Sequence, residues 1–301
     1  MATTTPTTTG GADRARPATA GRPRGARPRA RSRRRWGTTA LAVAIVAVLL
    51  FPLYWMVNAS LQPSAALLSI PPRWFPEDPT LDGYRAAVDT QGRHLLISLF
   101  VACGNVVLTL AVAAPLAWAL ARFRLRVGPV LLFALLIVQM VPGIVMANSL
   151  FALFNTVGLL NNTIGLMLAH STLSVPFAAI LLRAFMQDLP REITEAAAID
   201  GAGQWRTFRS VVLPMSRNAV ITAGLFAFLF SWADFLFAIT MTTRDAITPV
   251  TVGIYRFIGA NTTDWNAVMA SAVLASIPAA VLLVLAQRYI AAGITGGAVK
   301  D

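Results

Sequence analysis

The sequence predicts an all-α, polytopic membrane protein with six transmembrane helices. Of its 301 residues, 56% are hydrophobic and only 13% are charged. The mean hydropathy is +0.64. Soluble domains carry roughly 25% charged residues, so this chain lacks the polar surface that water requires. The second observation behind this fold class is a set of long segments without any charge.

These uncharged segments are long enough for membrane-spanning helices, each of which needs roughly 20 residues. The segment after Arg126 has room for two helices joined at the polar turn 155–162, and a later segment is interrupted only by Asp234. The runs are continuously apolar rather than alternating, which excludes a transmembrane β-barrel. The predicted spans are about 37–59, 94–121, 128–153, 163–186, 216–242 and 266–290.

The net charge of +12 follows a pattern that predicts membrane orientation. If both termini are cytoplasmic, 20 of the 25 Lys and Arg residues lie in cytoplasmic segments, ten of them in residues 1–36. Such an excess is what the positive-inside rule requires. We therefore predict a multi-pass protein of the cell inner or plasma membrane, and we assign the positive charge to topology rather than to a nucleic-acid partner.

Residues 1–36 are rich in Thr, Pro, Gly, Ala and Arg, and this composition predicts a disordered basic cytoplasmic tail. The arginines before Trp36 also resemble the start of a secretion signal. The apolar run that follows is longer than a signal core of roughly 7–15 residues, which favours an uncleaved first helix. The predicted transmembrane domain is therefore 37–301.

A cytoplasmic segment at about 188–214 has the features of a short exposed helix. Pro190 suits the first helical position, and Glu192 and Glu195 suit the positive end of the helix dipole. Gly201 and Gly203 then stop or bend the helix. Alanines in between allow another backbone to approach closely. We interpret this helix as a docking surface, with a helix lying on lipid as the alternative.

The spacing in this segment resembles the EAA loop of bacterial ABC importer permeases. Glu195-Ala196-Ala197, three residues, Gly201, nine residues, Val211, one residue and Leu213-Pro214 reproduce that loop, with Val in place of the usual Ile. The resemblance implies the type I ABC importer permease fold and a coupling helix that docks on an ATP-binding subunit. The implied coupling residues are Glu195, Ala196, Ala197, Asp200, Gly201, Leu213 and Pro214.

Further motifs resemble the carbohydrate-uptake class of these permeases. They are 139–142, 159–162, 176–177 and 231–236, and the C-terminal 286–300 is similar to the smaller (MalG-type) permease of maltose and oligosaccharide transporters. The resemblance covers about 40–301, so the Arg/Pro-rich tail is a departure. It implies a C-terminal contact with the ATPase through Thr295, Gly296 and Gly297.

Several polar residues within the spans are candidates for the substrate pathway. Asp234 either lines a pathway or interface, as ionisable residues at membrane depth commonly do, or pairs with a neighbouring helix. The pathway hypothesis also includes Trp232, Asn148 and Gln139. The alternative for the polar residues of the spans is interhelical hydrogen bonding, which applies equally to His170, Asn105, Gln139, Asn148 and Ser174.

The resemblance implies a permease subunit that takes up a sugar or oligosaccharide and needs no cofactor. Its implied partners are a second homologous permease, two copies of an ATP-binding subunit, an extracellular sugar-binding protein and membrane lipid. The sequence has no phosphate-binding loop of the Walker type and a single cysteine, Cys103, so neither ATP hydrolysis nor a metal site is expected. A non-sugar solute, such as a polyol or glycerol phosphate, is the alternative cargo. An ion-driven carrier would have only Asp234 for its ion site.

Overall fold

The computed structural model describes residues 30–123, 125–244, 247–260 and 264–296, without the side chains of 30–35, 259–260 and 288–296. Its helices are α1 Ala30–Ser60, α2 Ser64–Leu67, α3 Asp82–Arg122, α4 Gly128–Met140, α5 Gly143–Val157, α6 Thr163–Gln187, α7 Arg191–Ile199, α8 Gln204–Thr207, α9 Leu213–Met215, α10 Arg217–Ala233, α11 Leu236–Met241, α12 Val250–Ala260 and α13 Trp265–Gly296. No strand occurs among these residues.

The chain divides into two compact units, residues 1–51 and 52–301. In the first unit, the described side chains from Trp36 to Phe51 all belong to α1 and are exposed. Because α1 begins at Ala30, residues 30–36 of the predicted tail are helical. Residues 1–29 lie outside the described part of the chain.

The second unit is built around α3, α6, α10 and α13, which pack against one another. Alanines fill much of this interior, among them Ala113 and Ala117 of α3, Ala178 of α6 and Ala223 of α10. In a membrane, small residues let helix backbones approach closely, which maximises van der Waals packing where the hydrophobic effect is weak. The sequence therefore uses alanine where a soluble protein would use leucine.

Within the described part of the chain, four helices are long and apolar enough to cross a membrane, namely α1, α3, α6 and α13. Two pairs of helices that meet at a bend raise the number to six if each pair counts as one span. They are α4 with α5, and Gln204–Met215 with α10. In the first pair, α4 and α5 meet at 101° around Val141 and Pro142. Both residues adopt extended backbone, and Pro142 has no N–H with which to continue the helix. The predicted span 128–153 therefore corresponds to a bent pair of helices, α4 and α5.

The predicted span 216–242 is also interrupted. Helix α10 ends at Ala233, Asp234 is extended with φ −67° and ψ 135°, and α11 begins at Leu236. By contrast, α3 is a single helix of 41 residues that starts at Asp82, well before the predicted residue 94. The segment 82–88, which precedes the predicted span, is thus part of this long helix.

Prolines lie inside the remaining long helices. Pro115 lies within α3, Pro176 within α6 and Pro278 within α13. Helix α12 occupies a stretch for which no helix was predicted. The backbone N–H of its first residue, Val250, donates to the buried Ser98 hydroxyl of α3 at 2.8 Å, so a tertiary contact helps to position this helix.

Candidate coupling segment and transport pathway

Helix α7 ends as the sequence predicts and begins at Arg191, one residue after the predicted first position at Pro190. Pro190 precedes its first residue, and Glu192 lies in the first turn. At the other end, Gly201 adopts φ +79°, its N–H donates to the Ala198 carbonyl at 3.1 Å, and the Ala202 N–H donates to the Ala197 carbonyl at 2.9 Å. This pair of bonds is a Schellman motif, in which glycine is the residue that tolerates the left-handed backbone.

The exposed surface of α7 and of the turn after it carries small or apolar side chains at its centre. Ala196 and Ala198 are exposed, Ile199 is 86% exposed and Trp205 is 67% exposed. Glu195, Asp200 and Gly201 are exposed as well, while Ala197 is half-buried. We call residues 195–205 the docking surface. Its alanines and exposed large apolar side chains suit contact with another protein.

Helix α7, which carries the first part of the docking surface, is attached to the bundle through Arg122, the last residue of α3. Its guanidinium donates to the Thr194 hydroxyl and, at 3.2 Å, to the Arg191 carbonyl. The same guanidinium lies 6.0 Å from the ring centre of Trp118, within cation–π range. Sequence reasoning missed this role. The only signal was the position of Arg122, the first basic residue after a long apolar run.

A second attachment comes from the turn after α8. Phe208 and Val212 are buried in a core cluster that includes Leu182 of α6, and the Trp205 ring lies 5.4 Å from that of Phe208. The turn 208–212 is π-helical, and the Leu213 N–H accordingly donates to the Phe208 carbonyl. Such a wide turn accommodates the following proline, which has no N–H to donate.

Of the two remaining coupling candidates in this segment, Leu213 packs against the same cluster and Pro214 is exposed. At the C-terminus, Thr295 and Gly296 belong to α13, without described side chains. Gly297 lies outside the described residues. The structure thus gathers the coupling candidates of 195–214 at one end of α3, α6 and α10, attached through Arg122, Phe208 and Val212.

The membrane pathway candidates occupy three different settings. Asp234 lies at the break between α10 and α11, where its carboxylate accepts N–H groups of Phe237 at 3.3 Å and Ala238 at 2.9 Å. The same carboxylate lies 3.1 Å from Nε2 of His170 on α6. Nδ1 of His170 lies 2.7 Å from the Ser231 hydroxyl. Asp234 therefore pairs with a residue of a neighbouring helix, and its role in the substrate pathway stays a prediction.

Trp232 is buried against α13 instead. Its indole N–H donates to the Ala275 carbonyl at 3.0 Å, and its ring stacks on Phe228 with centroids 5.5 Å apart. Gln139 and Asn148 are exposed on the bent α4–α5 pair. Of the four pathway candidates, these two present polar side chains outside the described core.

The hydrogen bonds of Asn105 and Ser174 match the interhelical role proposed for them. Asn105 on α3 donates to the Ala227 carbonyl of α10 at 3.0 Å and accepts from the Ser174 hydroxyl of α6 at 3.2 Å. Thr109 joins the network through Ser174 at 2.9 Å. Because all three side chains are buried, each needs a partner inside the bundle.

Another polar contact fixes the turn after α5. Asn161, with φ 54°, donates its backbone N–H to the Met241 carbonyl and accepts from the Arg244 N–H at 2.8 Å. Its side-chain amide also donates to the Thr243 hydroxyl at 2.9 Å. Asn161 thus ties the loop before α6 to the end of α11, and asparagine is one of the few residues suited to that backbone.

Sequence comparison identifies the family to which these features belong. The family described as "Binding-protein-dependent transport system inner membrane component" matches residues 95–296. The chain belongs to this family. It is therefore a permease subunit of a binding-protein-dependent transport system and a multi-pass membrane protein. The matched range contains the docking surface, the pairing of His170 with Asp234 and all helices from α4 to α13.

Curated relatives of this permease cover most of its length. It is 33% identical over 253 residues to the sulfoquinovosyl glycerol transport system permease SmoH of Agrobacterium fabrum, covering 83% of this chain and 89% of that one. It is 30% identical to the trehalose transport system permease SugB of Mycobacterium tuberculosis, covering 86% and 96%. The predictions of an ABC importer permease and of a transporter subunit rather than an enzyme are confirmed.

The fold comparison agrees. A chain of a bacterial ABC transporter that imports the polysaccharide alginate superimposes with a TM-score of 0.75 at 22% identity, covering 86% of this permease and 98% of that chain. This likeness confirms the all-α permease fold.

Proposed function

We propose that this permease, paired with a second homologous permease, forms the membrane path for uptake of a sugar or oligosaccharide. Two copies of an ATP-binding subunit supply the energy, and an extracellular binding protein delivers the solute. The names of the relatives, which include trehalose and diacetylchitobiose uptake permeases, support a sugar as cargo. The charge asymmetry of the sequence supports a cytoplasmic location for both termini and for segment 188–214.

The coupling proposal rests on two features of one segment: its docking surface is exposed, and the segment is attached to the helix bundle. Ile199 and Trp205 project outward, whereas Arg122 and Phe208 connect the same segment to α3 and α6. When the ATP-binding subunits close, they push on this surface, and the attachment transmits the movement to the spans. The bundle then alternates between inward-facing and outward-facing states.

The experiment reconstitutes the permease with its partner permease, ATP-binding subunit and binding protein in proteoliposomes, and measures uptake of labelled trehalose, maltose-type oligosaccharides and diacetylchitobiose. We expect uptake of one of these sugars to require ATP and to persist after a protonophore collapses the proton gradient. Uptake that stops with the protonophore would support an ion-driven carrier instead. ATP-dependent uptake of a polyol or glycerol phosphate alone would correct the cargo and leave the coupling intact.

A pair of variants at Ile199 tests the docking surface itself. Ile199→Asp places a charge at the centre of the apolar surface and should abolish the ATPase stimulation caused by the sugar-loaded binding protein. Ile199→Met keeps an apolar side chain of similar volume and should retain most of the stimulation. Equal activity of both variants, at equal amounts in the membrane, would contradict docking through this surface.

A further inference from the structure

The loop after α1 folds back along the end of that helix and is fastened there by several hydrogen bonds. The side-chain amides of Asn58 and Gln62 both donate to the Arg73 carbonyl, at 3.2 and 3.1 Å. The Tyr54 hydroxyl donates to the carbonyl of Trp74. Residues 73–74 are therefore held beside the last two turns of α1 rather than projecting away from them.

Aromatic rings extend this contact further toward the middle of the membrane span. Trp55 and Trp74 meet edge to face with centroids 5.9 Å apart, and Tyr54 and Phe75 do so at 6.3 Å. Tyr54 and Trp55 precede the end of α1 at Ser60 by five or six residues, which is about 8–9 Å along a helix axis. Since residues 36–60 form a candidate membrane span, we expect the ring cluster near the boundary between lipid headgroups and acyl chains.

The same loop exposes large apolar side chains despite its fastened backbone. Ile70 is 96% exposed, Phe75 is 72% exposed and Leu68 is 71% exposed. The one charged residue among 68–75, Arg73, is paired with Glu77 at 2.8 Å. Exposed apolar side chains on a fastened backbone indicate an interaction site. The position of this patch beside the end of a membrane span indicates which kind of partner covers it.

We propose that residues 68–75 form a membrane anchor whose partner is bilayer lipid. Ile70 and Phe75 lie in the boundary between headgroups and acyl chains of the leaflet at the Ser60 end of α1, and the four aromatic rings lie at the same level. Tyrosine and tryptophan favour this boundary because their rings are apolar at one end and polar at the other. The anchor sets the depth of α1 without contact with the binding protein.

The experiment places an environment-sensitive NBD fluorophore on a single cysteine in the transporter assembled with its other subunits. Cys103, the only native cysteine, is first replaced in the variant Cys103→Ser. The test site is Ile70→Cys, and the matched control is Asp78→Cys in the same loop. Proteoliposomes contain phosphatidylethanolamine and phosphatidylglycerol, with or without lipids that carry a nitroxide quencher near the headgroup.

We expect NBD at position 70 to emit at shorter wavelength than at position 78, and to be quenched at least twofold more by the nitroxide lipids. Iodide in the aqueous phase should quench the fluorophore at position 78 more strongly. A blue shift at position 70 without lipid quenching would show that a subunit covers the loop, and would overturn the proposal. A shift that appears only after addition of sugar-loaded binding protein would overturn it as well, in favour of binding-protein docking.

Discussion

Nε2 of His170 on α6 lies 3.1 Å from the carboxylate of Asp234, the residue at which the predicted span 216–242 is broken into α10 and α11. The other ring nitrogen of His170 contacts Ser231 on α10. The carboxylate of Asp234 in turn accepts two backbone N–H groups from the first turn of α11. His170 is therefore linked to the helices on both sides of the break. The backbone carbonyl of Asp234 also accepts from the Thr251 hydroxyl at 2.7 Å. Helices α6, α10, α11 and α12 meet at this point.

The first prediction separates this structural role of Asp234 from contact with the cargo. Asp234→Ala removes the acceptor for Ala238 and the partner of His170, and should destabilise the protein by about 1–3 kcal/mol. Asp234→Asn keeps an acceptor oxygen and a polar partner for His170, so its melting temperature should stay closer to that of the parent. Thermal unfolding in detergent micelles measures both, with Asp89→Ala on the exposed surface of α3 as the control.

Transport kinetics complete this test. If Asp234 acts through the helix break, Asp234→Asn should leave the sugar concentration for half-maximal uptake unchanged. A tenfold rise in that concentration at an unchanged melting temperature would instead indicate direct contact with the sugar. Such a result would support the pathway role of Asp234 that the sequence suggested.

The second prediction concerns Gly201, whose left-handed backbone closes α7. Apart from Gly201 and its two chain neighbours, no atom of the described residues lies within 4 Å of a Cβ built at this position. A side chain there meets mainly the backbone penalty, about 1–2 kcal/mol for most residues. Asparagine tolerates this backbone better than alanine or valine does. If the turn alone matters, ATP-driven uptake should fall in the order Gly, Asn, Ala, Val at position 201.

A different order of uptake among these variants would indicate that a partner protein contacts Gly201. If an ATP-binding subunit occupies the space next to Gly201, then asparagine should impair uptake as strongly as valine, and Gly201→Asp should abolish it while membrane insertion persists. Insertion is measured by the amount of permease in the membrane fraction. Normal uptake by Gly201→Asp would remove the coupling role from this turn.

The third prediction tests the attachment of α7 through Arg122. Arg122→Met keeps much of the aliphatic side chain but loses the hydrogen bonds to Thr194 and the Arg191 carbonyl. We expect the reconstituted transporter to hydrolyse ATP while accumulating less sugar per ATP, because the docking surface moves without the bundle. The matched variant Arg126→Met removes a neighbouring positive charge and should keep the parental ratio. Equal ratios in both variants would contradict the attachment role.

The sequence predicted the apolar spans and the ends of α7 because both depend on local chemistry. Long uncharged runs must enter the bilayer, and Pro190 and Gly201 have backbone preferences that act without distant partners. Asp234 was identified as unusual for its depth, and His170 as a polar residue of a span, but their pairing depends on how α6 and α10 pack. The helix at 250–260 likewise depends on tertiary contacts, such as the one between Ser98 and Val250.

The fourth prediction concerns the C-terminus, where resemblance to MalG-type permeases suggests a contact with the ATP-binding subunits. Helix α13 continues to Gly296, beyond the predicted end near residue 290. Deleting residues 294–301 removes Thr295, Gly296 and Gly297 together. We expect lower ATPase activity in the presence of sugar-loaded binding protein, whereas sugar binding by that protein, measured by calorimetry, should not change. Full ATPase coupling after the deletion would exclude the contact.

The fifth prediction addresses the N-terminal tail and the membrane orientation together. Residues 2–29 precede α1 and lie outside the family match at 95–296, so their deletion should leave ATP-driven uptake intact. Arg31, Arg33, Arg34 and Arg35 lie in the first turns of α1, next to the apolar run. Positive charges within roughly 15–20 residues of a span set its orientation, so replacing all four with glutamine should impair correct insertion.

A reporter enzyme fused to the N-terminus, active only in the cytoplasm, reads the orientation in both cases. The parent and the tail deletion should give full reporter activity, and the four-glutamine variant should lose a large part of it. Replacing Arg14 and Arg16 instead is the control, since these two charges lie about 20 residues or more before Trp36, at the limit of the range that sets orientation. An external N-terminus in the parent would place segment 188–214 outside the cell, where no ATP-binding subunit reaches the docking surface. That single result would therefore contradict the coupling proposal as well as the topology.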